Sequence, residues 1–133
     1  MRSCSTIMLS AEMNERLTRV GPATPCGVLL RHYWQPVALT EELAGSRPVK
    51  GVRILGEDLV LFRDEAGRFG LIDRHCCHRG ADLRFGRLED GGIRCPFHGW
   101  LFDVDGVCLE QPAEPVGSTF HRKVRQPSYP CCD

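Results

Sequence analysis

Two short pairs of metal-ligating residues constrain this chain more than anything else in it. Cys76 and His78 stand in the pattern C-x-H, and Cys95 and His98 in the pattern C-x-x-H. Each pair is short enough for one tight loop to present both side chains to one centre. The arm between the pairs is charged, rich in glycine, and long enough to run out and return as strand and turn. Two thiolates on one iron and two imidazoles on the other are one ligand set for a two-iron, two-sulfide cluster. A tetrahedral zinc ion also takes two of each, and a zinc-stabilised interaction module is the alternative reading. Zinc fingers, however, group like ligands as C-x-x-C and H-x-x-x-H, whereas here cysteine and histidine interleave.

The flanking residues make the stretch specific. It reads Cys-His-Arg-Gly-Ala-Asp-Leu at 77–83 and Cys-Pro-Phe-His-Gly-Trp at 95–100. Gly80 and Gly99 allow each loop to turn sharply where a side chain would crowd the centre, and Pro96 stiffens the second loop. This wording resembles the Rieske domain of aromatic ring-hydroxylating oxygenases. The resemblance implies that Cys76 and Cys95 hold the inner iron of a [2Fe-2S] cluster and His78 and His98 the outer one. Those oxygenases usually carry proline between the first cysteine and histidine. Cys77 stands there instead, which loosens the first loop and places a spare thiol beside the ligands; its side chain is expected to point away.

The chain has 133 residues, 17 basic and 17 acidic side chains, and eight cysteines. One domain is the expectation at this length. Balanced charge gives no reason to expect a nucleic-acid partner, and no apolar run is long enough to span a membrane. Residues 1–11 lack the continuous apolar stretch of a secretory signal, so the cytoplasm is the default location. Cys4, Cys26, Cys77, Cys108, Cys131 and Cys132 are then read as free thiols, some buried.

Residues 1–23 read as a poorly patterned extension, with a weak helix over Glu12–Val20 and Met8 and Met13 as alternative starts. Residues 24–133 read as the Rieske domain. Thr24 offers a helix N-cap with Pro25 at the first helical position, for a short helix over Cys26–His32. Tyr33–Leu39 reads as a strand. From Val49 the pattern is β: Val52–Leu55, a turn at Gly56–Asp58, a strand at Leu59–Arg63, a turn at Asp64–Gly67, and a strand at Phe69–Asp73 leading to the first loop. Glu89–Gly92 turns into Ile93–Arg94, which lead to the second loop, and Trp100–Asp103 leave it. Asp105–Gly106 is a hairpin signal before Val107–Leu109. Asp103–Gly106 invites a calcium reading but lacks the downstream glutamate, so a hairpin is preferred. Pro112, Pro115 and Gly117 make 110–133 loop-like. The expected fold is mainly β: a small antiparallel, sandwich-like domain with two cluster-binding loops and a short N-terminal helix.

The family resemblance runs from Thr24 to Pro130, through Arg31–Trp34, Glu110–Pro115 and Arg125–Pro130. In the family the chain continues through a further strand into a catalytic domain, whose iron is held by two histidines and a carboxylate. His32, His75 and His121 are not paired for such a site, so no catalytic residue is assigned. The expected function is one-electron transfer as part of an oxygenase alpha subunit, truncated or partial. The donor would be a reductase or ferredoxin and the acceptor an oxygenase catalytic domain. A stand-alone Rieske ferredoxin is the alternative. A missing last strand would leave an open sheet edge through which the chain could self-associate. Two thiolates and two neutral imidazoles leave the all-ferric cluster formally neutral, which raises its potential over that of four-thiolate clusters. In respiratory Rieske proteins a disulfide and a serine hydroxyl raise it further. The corresponding positions here are Ala81, Phe97 and Trp100, so a potential low in the Rieske range is expected.

Overall fold

The structure, a computed structural model, describes residues 8–133; Cys4 lies outside them. The described chain divides into two units. One comprises the residues up to Pro36 with Leu55–Glu57, and the other Val37–Ile54 with Asp58–Asp133.

In the first unit, helix α1 spans Ala11–Thr18 and buries none of its residues. Ser10 caps it, its hydroxyl accepting from the Met13 N–H at 3.1 Å. Helix α2 spans Pro25–Leu30. Thr24 caps it as its sequence position suggests, accepting from the Gly27 N–H at 3.1 Å. Gly27 cannot be replaced cheaply: a Cβ there would lie 2.1 Å from the Gly21 carbonyl oxygen. Arg31 closes the unit. Its guanidinium donates to the carbonyls of Val20 (3.1 Å), Gly27 (2.9 Å) and Leu55 (3.0 Å), and pairs with Glu57. The helix ends two residues earlier than expected. The expected strand over Tyr33–Leu39 does not form, since none of these residues joins a ladder. The Gln35 carboxamide donates to the Leu30 and Tyr33 carbonyls at 3.0 and 3.2 Å, curling the chain back, and Pro36 has no N–H to offer a neighbour.

The second unit holds two four-stranded antiparallel sheets. The first orders its strands β1 (Val49–Ile54), β2 (Glu57–Arg63), β3 (Phe69–Asp73) and β8 (Ser128–Tyr129). The second runs β4 (Arg87–Glu89), β5 (Gly92–Arg94), β6 (Leu101–Asp103) and β7 (Cys108–Glu110). Alternation explains the continuous apolar run of β2: side chains two apart share a face. Val60 and Phe62 join Ile72 in the main core, with Ile93, Phe102 and Cys108 of the second sheet. Leu59 and Leu61 face the opposite way and pack with Leu71 and Leu43. The register pairs Val60 with Ile72 and Leu61 with Leu71, so both faces match across the ladder.

Turn chemistry sets the hairpins. Leu55 and Gly56 (φ 47° and 84°) and Asp90 and Gly91 (φ 52° and 78°) adopt the paired left-handed conformation of two-residue hairpin loops. The first of these turns is therefore Leu55–Gly56, one residue earlier than expected, and β2 already begins at Glu57. Asp103 Oδ1 accepts from the N–H groups of Asp105 (3.0 Å) and Val107 (2.7 Å), a hairpin cap. The proline-rich tail is not all loop. It makes a 3₁₀ turn at Phe120–Lys123 and returns as β8, which pairs with β3 through Leu71–Tyr129 and Ile72–Ser128. Two residues between prolines are too short to signal a strand, and the pairing comes entirely from β3. No helix among the described residues is long and apolar enough to cross a membrane.

Candidate metal centre

The two loops carrying the expected ligand pairs are built alike. The first leaves β3, and the second joins β5 to β6. In the first, the Cys76 N–H donates to the Ala81 carbonyl (2.9 Å) and the Gly80 N–H to the Cys76 carbonyl (2.8 Å). In the second, the Cys95 N–H donates to the Trp100 carbonyl (2.8 Å) and the Gly99 N–H to the Cys95 carbonyl (3.1 Å). Each cysteine thus opens and closes its own turn, with a glycine at positive φ (71° and 73°) completing it.

The four expected ligands meet as two pairs. Cys76 and Cys95 are buried, at 2% and 4% exposure, and belong to the main hydrophobic core. The Cys95 thiol is near enough to Cys76 to oppose its ionisation. His78 and His98 are half-buried at the rim, their rings edge to face with centroids 4.6 Å apart. Aromatic neighbours hold both rings. Trp100 stacks flat on His78, at 4.4 Å and 3° between planes, and Phe97 lies 3.9 Å from His98.

Electrostatics follow burial. Desolvation, above all, pushes the Cys76 thiol up to about 12; the His78 backbone N–H opposes this and the Cys95 thiol adds to it. Such a thiol ionises only when a cation compensates the thiolate, which ties ligand deprotonation to metal binding. Burial, then His98 and Arg79, lowers the His78 pKa, favouring the neutral imidazole that ligates metals.

Two thiols and two imidazoles are donors that zinc and a [2Fe-2S] cluster both accept, in different arrangements. One tetrahedral zinc ion needs all four donors around one point. Two thiols inside and two imidazoles outside, each pair served by both loops, fit a pair of irons with two protein ligands each.

The remaining histidines and thiols stand apart. His32 and His75 are exposed, and His121 sits half-buried in the 3₁₀ turn of the tail. Cys77 is exposed although its neighbour Cys76 is buried. Cys108 is buried in the core, Cys26 and Cys131 are half-buried, and Cys132 is exposed.

Sequence reasoning missed the side chains that hold the loops. Arg94, 8% exposed, donates through Nη1 to the Gly99 carbonyl at 2.7 Å and pairs with Glu89, Glu110 (2.7 Å) and Asp90 (3.4 Å). Asp82 accepts from Arg74 (2.6 Å), from Arg84 and from the Arg84 N–H (2.9 Å), securing the far end of the first loop. Gln126 reaches the near end of that loop from the tail. The charge pattern around Arg94 offered a weak signal; a glutamine between Arg125 and Pro127 offered none.

Residues 33–130 match the family described as the Rieske [2Fe-2S] domain. The chain is 50% identical over 126 residues to the 5,5'-dehydrodivanillate O-demethylase oxygenase subunit of Sphingobium sp., a match covering 92% of this chain and 30% of that protein. It is 56% identical over 115 residues to the phenoxybenzoate dioxygenase subunit alpha of Ectopseudomonas oleovorans, covering 86% and 28%. Among solved structures it resembles NdmA of Pseudomonas putida CBB5, with a TM-score of 0.66, 29% identity and coverage of 78% and 32%. Dicamba monooxygenase bound to dicamba gives 0.63 and 34%, with coverage of 76% and 31%. The chain spans about 30% of the length of the curated relatives it matches, and the match falls on the N-terminal regions of oxygenase alpha subunits. The chain belongs to the Rieske [2Fe-2S] domain family, and its cofactor is a [2Fe-2S] cluster.

Proposed function

We propose that Cys76 and Cys95 hold one iron of the cluster and His78 and His98 the other, and that the domain passes single electrons within an oxygenase system. A reductase or ferredoxin would be the donor. A mononuclear iron site outside these residues would be the acceptor. The observation that carries this reading is the sorting of the four side chains: thiols together in the core, imidazoles together at the rim. When bound, the cluster supplies reversible one-electron chemistry at a potential above that of four-thiolate clusters.

The chain's own residues divide the remaining work. The core around Cys76 and Cys95 keeps water from the thiolate side. As ligands, His78 and His98 would each keep a second ring nitrogen free at the half-buried rim, where a partner can meet it. Trp100 and Phe97 fix the planes of these rings, so little reorganisation is needed when charge changes nearby.

Replacing His98 by Ala tests the assignment. The visible absorption and the paramagnetic resonance signal of the reduced protein are expected to vanish. An unchanged signal would remove His98 from the ligand set. A colourless, zinc-loaded wild-type protein would overturn the electron-transfer reading. Electron transfer from the purified domain to an oxygenase catalytic domain, rather than to a soluble acceptor alone, separates an oxygenase part from a stand-alone ferredoxin.

A further inference from the structure

Gln126 is fully buried, at 0% exposure, and no step of the electron transfer uses it. Its carboxamide makes three hydrogen bonds, all to backbone and all to the segment entering the first loop. Oε1 accepts from the Cys77 N–H at 2.8 Å. Nε2 donates to the carbonyls of Asp73 (3.0 Å) and His75 (2.7 Å). Residues 73, 75 and 77 are alternate positions, so the carboxamide reads one edge of the incoming chain. Exposure alternates where this segment leaves β3 and enters the turn. Accordingly His75 and Cys77 are exposed while Cys76 is buried.

Two adjacent thiols are therefore distinguished by where the backbone enters the turn, and a shift of one residue at that point would exchange them. We propose that Gln126 is the positioning residue that selects Cys76 over Cys77 as the cluster ligand, by locking that register. This rests on the ligand assignment proposed above. The lock is itself anchored. The Gln126 N–H donates to the Gly106 carbonyl at 2.7 Å, and the Asp73 N–H to the Pro127 carbonyl at 2.8 Å. At Gly106 a Cβ would lie 2.1 Å from the Gln126 carbonyl oxygen, so the hairpin of β6 and β7 can approach the tail only with glycine there. The Cys77 N–H is the only loop donor the carboxamide accepts from, and a residue without an N–H could not supply it.

Four full-length variants test the proposal by iron content and by the paramagnetic resonance of the reduced protein. Gln126→Leu keeps the volume and removes the three bonds. It is expected to give two overlapping species where the wild type gives one, and Gln126→Leu with Cys77→Ala to return to one. Cys76→Ala alone is expected to lose its iron. Adding Gln126→Leu to Cys76→Ala should raise the iron content at least about threefold, because Cys77 can then take the vacated place; outer partners of metal ligands commonly carry tenfold or more in affinity. A single wild-type species in Gln126→Leu, with no iron regained in the double variant, would overturn the selection role and leave the ligand assignment standing. A wild-type signal in Cys76→Ala alone would overturn the assignment and the selection together. Should Gln126→Leu not fold, hydrogen exchange at the Cys77 amide of the wild-type chain decides: strong protection is expected, and exchange at the rate of an open loop would refute the lock.

Discussion

Arg94 is the side chain whose loss should cost this domain most for the fewest atoms removed. Replacing it by Met keeps the apolar stem and deletes the guanidinium. The Gly99 carbonyl of the second loop then loses its 2.7 Å donor, and Glu89 and Glu110 lose their shared cation. A hydrogen bond to a charged group is worth about 1.5–3 kcal/mol when buried. Glu89 and Glu110 keep 33% and 51% side-chain exposure, so water recovers much of their solvation, and each pair counts for about 1 kcal/mol or less. The Gly99 bond and the two discounted pairs together suggest about 2–4 kcal/mol. For a domain of this size that corresponds to a fall of about 8–16 °C in Tm. Thermal unfolding of the cluster-loaded protein followed by circular dichroism gives the stability. Iron retention against a chelator reports whether the second loop has loosened. A fall of less than about 2 °C with unchanged iron retention would show that the guanidinium is a solvated surface charge, against the geometry described here.

Two further outcomes are expected. Burial opposes ionisation of Asp82, but Arg74, Arg84 and the Arg84 N–H override it and hold the carboxyl well below the usual carboxylate range. A depressed folded-state pKa gives stability that is complete above the unfolded value of about 3.9 and is lost as pH falls toward the folded one. The stability gap between wild type and Asp82→Asn in urea unfolding should thus be constant near neutrality and shrink below about pH 4; a gap that widens on acidification would contradict this. The midpoint potential should lie near the low end of the Rieske range, about −150 mV, because Ala81 and Phe97 cannot form a disulfide and Trp100 offers no hydroxyl. Voltammetry well above 0 mV would mean that other hydrogen bonds surround the sulfurs.

Much of the scaffold was legible because its signals are local. Asp90–Gly91 and Asp105–Gly106 mark hairpins through residues that tolerate positive φ, and β2 and β3 announce themselves by β-branched and apolar runs. The loops that carry the proposed ligand pairs were legible because loop chemistry is written in consecutive residues. The failures share a cause. Tyr33–Leu39 looks like a strand by composition, yet a strand needs a partner, and Gln35 and Pro36 turn the backbone away from one. Ser128–Tyr129 looks like coil, yet β3 offers it an edge. Gln126 carries no local pattern, since its partners lie 49 to 53 residues away in the chain.

The supports of the two loops differ in kind, and the difference follows from what each loop must resist. The second loop has Pro96 inside it and a cation, Arg94, clamping its closing glycine. Its proposed ligand, Cys95, has no adjacent competitor, so stiffness suffices. The first loop lacks proline at 77, and two thiols stand side by side. Stiffness alone would not tell them apart, because both registers can be stiff. A neutral carboxamide with two donors and one acceptor in fixed positions can read the backbone, whereas a charged group would bind whichever carbonyl came near. Burial of that carboxamide without full pairing would cost about 1–3 kcal/mol, so a slipped register that broke the Gln126 bonds would be penalised by the glutamine itself. Trp100 adds the last constraint across the loops. Belonging to the second, it stacks on His78 of the first, so the imidazole at the rim keeps its plane only while both loops keep their register.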